Sequence, residues 1–261
     1  MKRFLPAAAF VILAGVAPVF AQTATPAAEP AKSEALPSGE ALLARFVEVT
    51  GGAKAYESIK TQMATGKFSM PAAGLTGAIK AYSKWPNLSY ASVEIQGIGT
   101  IEEGTTAEMA WENSALQGAR IKSGDEAAAL MREAALDVHT NWKKYYDRAE
   151  TAGVEAVGDK TCYKVLLTPH QGAPETVYFD KETGYMVKQS AVYDTPMGKI
   201  PAVVTVSDYR KQGDLTLAFT VQQEVAGQQF EIKMDTITFN PDIPDSRFEP
   251  PAEVKALKNS K

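Results

Sequence analysis

Cysteine is almost missing from this 261-residue chain: Cys162 stands alone, so no internal disulfide can form and stability must come from a packed core. Histidine is as scarce. The two present, His139 and His170, lie far apart and outside any His-x-x-x-His or Cys-x-x-Cys spacing, so no metal site can be read from them. Both are expected to be ordinary surface histidines. Cys162 sits in the strand-like run Cys-Tyr-Lys-Val-Leu-Leu with no helix start or histidine beside it, which predicts a buried, inert thiol. Gly97-Ile98-Gly99 lacks the third glycine and the following helix of a dinucleotide site. Glu102 and Glu103 are adjacent, and neighbours on a strand face opposite ways, so they read as a solvated hairpin end and not as a catalytic pair. These absences predict a protein that is not an enzyme, with no cofactor and no catalytic or metal residues. Basic excess is missing too. Lys and Arg number 27 against 31 Asp and Glu, and a net charge of −4 excludes a phosphate-matching nucleic-acid surface.

Long apolar runs are likewise short. The one from Phe4 to Phe20 is broken by Pro6, Gly15 and Pro18 and falls below the roughly 20 residues of a spanning helix. Lys2 and Arg3 precede it, and Val19 and Ala21 occupy the small-residue positions of a cleavage site, so residues 1–21 read as a secretory signal peptide cut after Ala21. No cysteine follows that could carry a lipid anchor, which predicts a soluble periplasmic product. Residues 22–37, rich in Ala, Thr, Pro, Glu, Lys and Ser, have almost nothing to bury and read as a disordered linker. One domain over residues 38–252 and a flexible tail over 253–261 complete the expected organisation.

What is present is mostly alternation. Ser38 offers an N-cap to a helix whose Leu42, Leu43, Phe46 and Val47 share a face, and Gly51-Gly52 stops it. A short helix around Ala55, Tyr56 and Ile59 follows. From there the period falls to two, most plainly at Leu215, Leu217, Phe219 and Val221. Phe230, Ile232 and Met234 have one parity and Ile237 and Phe239 the other, which predicts a β-bulge near Asp235 and Thr236. Ser123-Gly124-Asp125-Glu126 has the form of a capping box, opening an insert of two short helices joined near Asp137. About ten strands remain, linked by turns at Pro86-Asn87, Glu103-Gly104, Gly158-Asp159, Glu182-Thr183-Gly184 and Gln212-Gly213-Asp214. The fold class is mainly β (α+β): an antiparallel meander that twists into an open, incomplete barrel with the helices as lid or plug.

Several phrases, in order, resemble the periplasmic lipoprotein carrier (LolA/LolB-like) superfamily, and within it an outer-membrane lipoprotein-sorting-like subfamily. They are Gly51-Gly52-Ala53-Lys54-Ala55-Tyr56 with Ile59, Gly97-Ile98-Gly99, Ala110-Trp111-Glu112, Val177-Tyr178-Phe179-Asp180 with Thr183-Gly184, Ser207-Asp208-Tyr209-Arg210, and Phe248-Glu249-Pro250. Leu215 to Phe219 departs from the subfamily pattern by lacking a proline before the aromatic, which favours strand pairing. The resemblance implies a half-barrel with a helical lid whose hollow takes up acyl chains. The expected ligand-binding lining is Phe68, Met70, Trp85, Tyr90, Trp111, Met131, Trp142, Phe219 and Phe230, and the expected partners are a lipid or acylated protein as cargo with a membrane-protein donor or acceptor. The protein is expected to be a monomer. The alternative is an envelope sensor or interaction module that uses the same half-barrel without carrying lipid.

Overall fold

The structure, a computed structural model, describes residues 35–195 and 198–258. The expected signal peptide and nearly all of the expected linker lie outside these residues. Helices α1 (Gly39–Val49) and α2 (Ala53–Glu57) lead into β1 (Thr61–Met70), β2 (Leu75–Lys84), β3 (Leu88–Ile95), β4 (Gly99–Thr105), β5 (Ala110–Ser114) and β6 (Gly118–Ile121). An insert with helix α3 (Gly124–Glu133) and a 3-10 turn (Trp142–Lys144) follows. The chain continues through β7 (Tyr146–Val157), β8 (Lys160–Pro169), β9 (Glu175–Asp180), β10 (Met186–Thr195), β11 (Gly198–Gln212), β12 (Leu215–Val225) and β13 (Gln228–Phe239), and closes on α4 (Ala252–Lys258).

Thirteen strands form one antiparallel sheet in the order β6-β5-β4-β3-β2-β1-β13-β12-β11-β10-β9-β8-β7. Each half is a meander, joined at the centre by β1 against β13, and the free edges are β6 and β7, consecutive in the chain. The insert therefore has to cross from one edge of the sheet to the other. Helix α3 touches both β5 and β10, which stand eight strand intervals apart. In a flat sheet that is about 38 Å. Ten residues of α-helix reach about 15 Å, so the sheet is curled and α3 lies across its open mouth. The expected open half-barrel is what the chain forms, with thirteen strands in place of about ten.

Local chemistry explains most boundaries. Ser38 Oγ accepts the Ala41 N–H at 3.2 Å, and Leu42, Leu43, Phe46 and Val47 are buried, as their spacing requires. The β1–β13 register jumps because Thr65 faces Thr236 while Gly66 faces Met234, leaving Asp235 as the extra residue of the expected bulge.

Four expectations fail for identifiable reasons. The capping box does not close: Ser123 makes no side-chain cap, and Glu126 is taken by Arg120 and Lys122. The insert holds one α-helix, and the second expected helix is reduced to the 3-10 turn Trp142–Lys144, since Asp137 accepts from Asn141, Lys144 and Tyr145 and draws residues 137–145 into turns. Glu103-Gly104 is no turn but the middle of β4. A Cβ on Gly104 would come within 2.7 Å of the Trp111 ring, so glycine there makes room for the indole. Finally, residues 253–258 are not a flexible tail. They belong to α4, which packs on β5 and β6 with Val254 wholly buried. Truncation after Pro251 is therefore expected to destabilise the domain by about 2 kcal/mol, the worth of one buried valine, read as a lowered urea midpoint.

Candidate functional site

The hollow of the half-barrel is divided. One part is solid: Phe68, Met70, Ile79, Val93, Ile101, Phe230 and Ile232 pack into a continuous cluster, with Phe68 and Phe230 stacked at 5.9 Å between ring centres. The other part is roofed by α1, whose Leu42, Leu43 and Phe46 pack on Val165, Leu167, Val177 and Phe179 of β8 and β9. Between that roof, the insert and strands β7 to β12 lies a cavity of about 340 Å³. Its walls are chiefly apolar: Leu43 and Phe46 from α1, Val138 and Trp142 from the insert, Val204, Val206 and Val221 from the sheet.

Two polar features border it. At the last turn of α3, Arg132 is buried and paired with buried Glu175; its Nε also donates to the Tyr146 hydroxyl at 3.2 Å. Tyr146 and Gln189 in turn donate to the second oxygen of Glu175 at 3.1 and 3.0 Å. Burial, reinforced by Glu175, raises the Tyr146 pKa, so its hydroxyl stays protonated. The cation facing this end of the cavity thus arrives already neutralised. Elsewhere in the wall, the His139 ring packs edge-on against Phe46 and Tyr56 at 5.2 and 6.0 Å. Burial pushes its pKa down to about 4, so the imidazole is neutral at ordinary pH. It is a wall residue and not the surface histidine expected. His170 is exposed against Asp147, as anticipated. Cys162 is fully buried, its pKa raised by that burial, also as anticipated.

Of the nine residues expected to line a pocket, the structure brings Trp142 to this cavity. Phe68, Met70 and Phe230 pack in the solid part, Phe68 also edging an open space of about 890 Å³ beside Gly77, Ile95 and Ile98 and Phe230 one of about 230 Å³, while Phe219 packs with Ala64 and Ile237. Met131 is half-buried on α3. Tyr90 and Trp111 share a register row with Gly104, so by the pleat they lie on the sheet face opposite Ile101 and Glu103. Trp85 is 51% exposed, with Lys60 over its ring. The lining missed by the sequence reading comes from α1 and from valines of β11 and β12. The apolar face of α1 was the available signal, since a helix that oily must cover something.

A second charged site was also missed. Glu103 and Glu112 face each other across β4 and β5, and Lys122 reaches both, at 2.6 and 3.6 Å. Arg120 bridges Glu112 to Glu126 of α3 at 2.7 and 2.5 Å. Glu103 is thus no solvated hairpin end: 2% of its side chain is exposed. Glu102, on the other face, accepts from the Tyr90 hydroxyl at 2.6 Å. Both groups tie α3 down, one at each end. Among the described residues no cluster of His, Cys, Asp and Glu suits a metal ion, and no helix is long and apolar enough to cross a membrane.

No protein-family profile matches the sequence, and no curated protein matches it. Solved structures do. A LolA superfamily protein from Nitrosomonas europaea superposes with a TM-score of 0.56 at 12% identity, over 82% of this chain and 99% of that one. A putative outer membrane lipoprotein-sorting protein domain from Vibrio parahaemolyticus gives 0.52 at 16% identity, over 80% and 97%. A DUF1329 family protein from Desulfovibrio piger gives 0.53 at 14%, over 80% and 96%. The chain has a LolA/LolB-like fold, an open antiparallel half-barrel, over most of its length.

Proposed function

We propose that this protein is a periplasmic, secreted lipid-binding carrier that holds an acyl chain of a lipid or lipidated protein in the cavity beneath α1 and the insert. The observation that carries this reading is the apolar cavity of about 340 Å³, in a fold shared with lipoprotein-sorting proteins. Burial of an acyl chain returns about 0.8 kcal/mol per methylene, so a well-buried chain does not leave into water unaided. A membrane or a partner protein must accept it, which makes a membrane-protein donor or acceptor part of the proposal. The protein acts as a monomer and makes or breaks no covalent bond: His139 is walled by aromatic rings, and the thiol of buried Cys162 is held protonated by that burial and by neighbouring Asp180. Its contribution to outer membrane biogenesis is transport across water.

The test is direct. Protein purified from periplasm is examined by native mass spectrometry for bound lipid, and the delipidated protein is titrated with a fluorescent fatty acid and with a fluorescent acyl monoester. Bound lipid, or micromolar binding displaced by unlabelled chains, supports the carrier. An empty protein that binds no chain overturns it, and a stoichiometric envelope protein recovered in its place would favour the sensor reading.

A further inference from the structure

Two apolar spaces meet at one wall. Beyond the cavity, between α1, α2 and the insert, an outer groove of about 390 Å³ is lined by Ala44, Val47, Glu48, Gly52 and Ala53. His139 and Trp142 border both spaces, so they are the partition between the hollow and the outside. The cavity itself is small. At about 30 Å³ for a group the size of a water molecule, its volume holds about eleven methylenes, enough for one chain and not for two. Its polar border offers no unpaired cation to a carboxylate: Arg132 is neutralised by Glu175, His139 is uncharged, Lys143, which stands over the Trp142 ring, pairs with Glu40, and the outer groove presents Glu48. An anionic head would meet only cations that already hold a carboxylate.

Resting on the carrier reading, we infer that the ligand is a single acyl chain of about twelve carbons, linked by an ester or amide to an uncharged head. The chain enters past His139 and Trp142, and the head stays in the outer groove beside Glu48. The partition thereby sets the length of chain accepted.

Saturated 1-monoacylglycerols of eight to eighteen carbons, titrated by calorimetry or by displacement of a fluorescent probe, test this on the wild-type protein. Affinity is expected to tighten about fifteen-fold for each two carbons and to level off near twelve. An N-dodecanoyl peptide amide should bind in the same range, and whichever of the two binds tighter names the source of the chain. Dodecanoate and diacylglycerol are each expected to bind at least tenfold more weakly. Trp142→Ala, which joins the two spaces, should move the plateau to longer chains, and Val206→Phe, which narrows the cavity, should move it to shorter ones. Circular dichroism confirms that each variant is folded, and the wild-type series decides the matter if either is not. Affinity that climbs undiminished to eighteen carbons, or dodecanoate or diacylglycerol binding as tightly as the monoester, overturns this inference and leaves the carrier standing. No binding at any length overturns both.

Discussion

Replacement of Arg132 by methionine is expected to destabilise the domain by about 3–5 kcal/mol, seen as a lowered urea midpoint at unchanged slope. The reason lies in what is left behind. Glu175 is buried, and without the guanidinium it keeps only Tyr146 and Gln189 as donors for a charge that has no route to water. Methionine fills the space of the arginine stem, so lost packing contributes little and the stranded carboxylate dominates. The double variant Arg132→Met/Glu175→Gln keeps an acceptor for the Tyr146 hydroxyl but removes the charge. It should recover about half of the loss, a coupling that two independent sites would not show. A single-variant loss below about 1 kcal/mol, or strict additivity in the double, would mean that the pair does not hold α3 to β9.

That pair also shows where sequence reading stops. The half-barrel was legible because period-two alternation, turn residues and a parity change at Asp235 are local signals, each written within a few residues. The helix face of Leu42, Leu43, Phe46 and Val47 was legible for the same reason. The site was not. Large apolar residues are inside by default, so Phe68 and Phe230, which fill the solid part, look in sequence the same as Phe46, which walls the empty one. What separates them is where the insert lands when it crosses from β6 to β7, and that is set by curvature summed over the twelve strand intervals between those edges. Charged residues mislead in the opposite direction. Glu103 read as solvated because most Glu are, and its partner Lys122 is brought to it by register, as Glu175 is brought to Arg132 by crossover, not by sequence spacing. His139 was missed likewise, since its neighbours Phe46 and Tyr56 come from α1 and α2.

The second large effect belongs to the other tether of α3. Lys122→Met leaves Glu103 and Glu112 facing each other across β4 and β5 with only Arg120 nearby, and a loss of about 3–5 kcal/mol is expected at neutral pH. This loss should depend on acidity. Burial raises the Glu103 pKa above its ordinary value of 4.5; Lys122 offsets part of that rise, while Glu112 and Glu126 add to it. Between the ordinary and the raised value the folded protein holds a proton that the unfolded chain has released. Its stabilising contribution is therefore complete below about pH 4.5 and declines as pH rises through the raised value, by at most about 1.4 kcal/mol per pH unit. Glu103→Gln carries no such proton, so its stability relative to wild type should climb with pH across that window. Removal of Lys122 raises the Glu103 pKa further and extends the window upward, so Lys122→Met should be weakest near neutrality and partly restored in mild acid. Adding Glu103→Gln to it should abolish that restoration by making the gain independent of pH. Urea midpoints at intervals between about pH 4.5 and 8 decide this: curves for wild type and Glu103→Gln that run parallel would show that Glu103 keeps an ordinary pKa and that the ion cluster holds α3 without any coupling to protons.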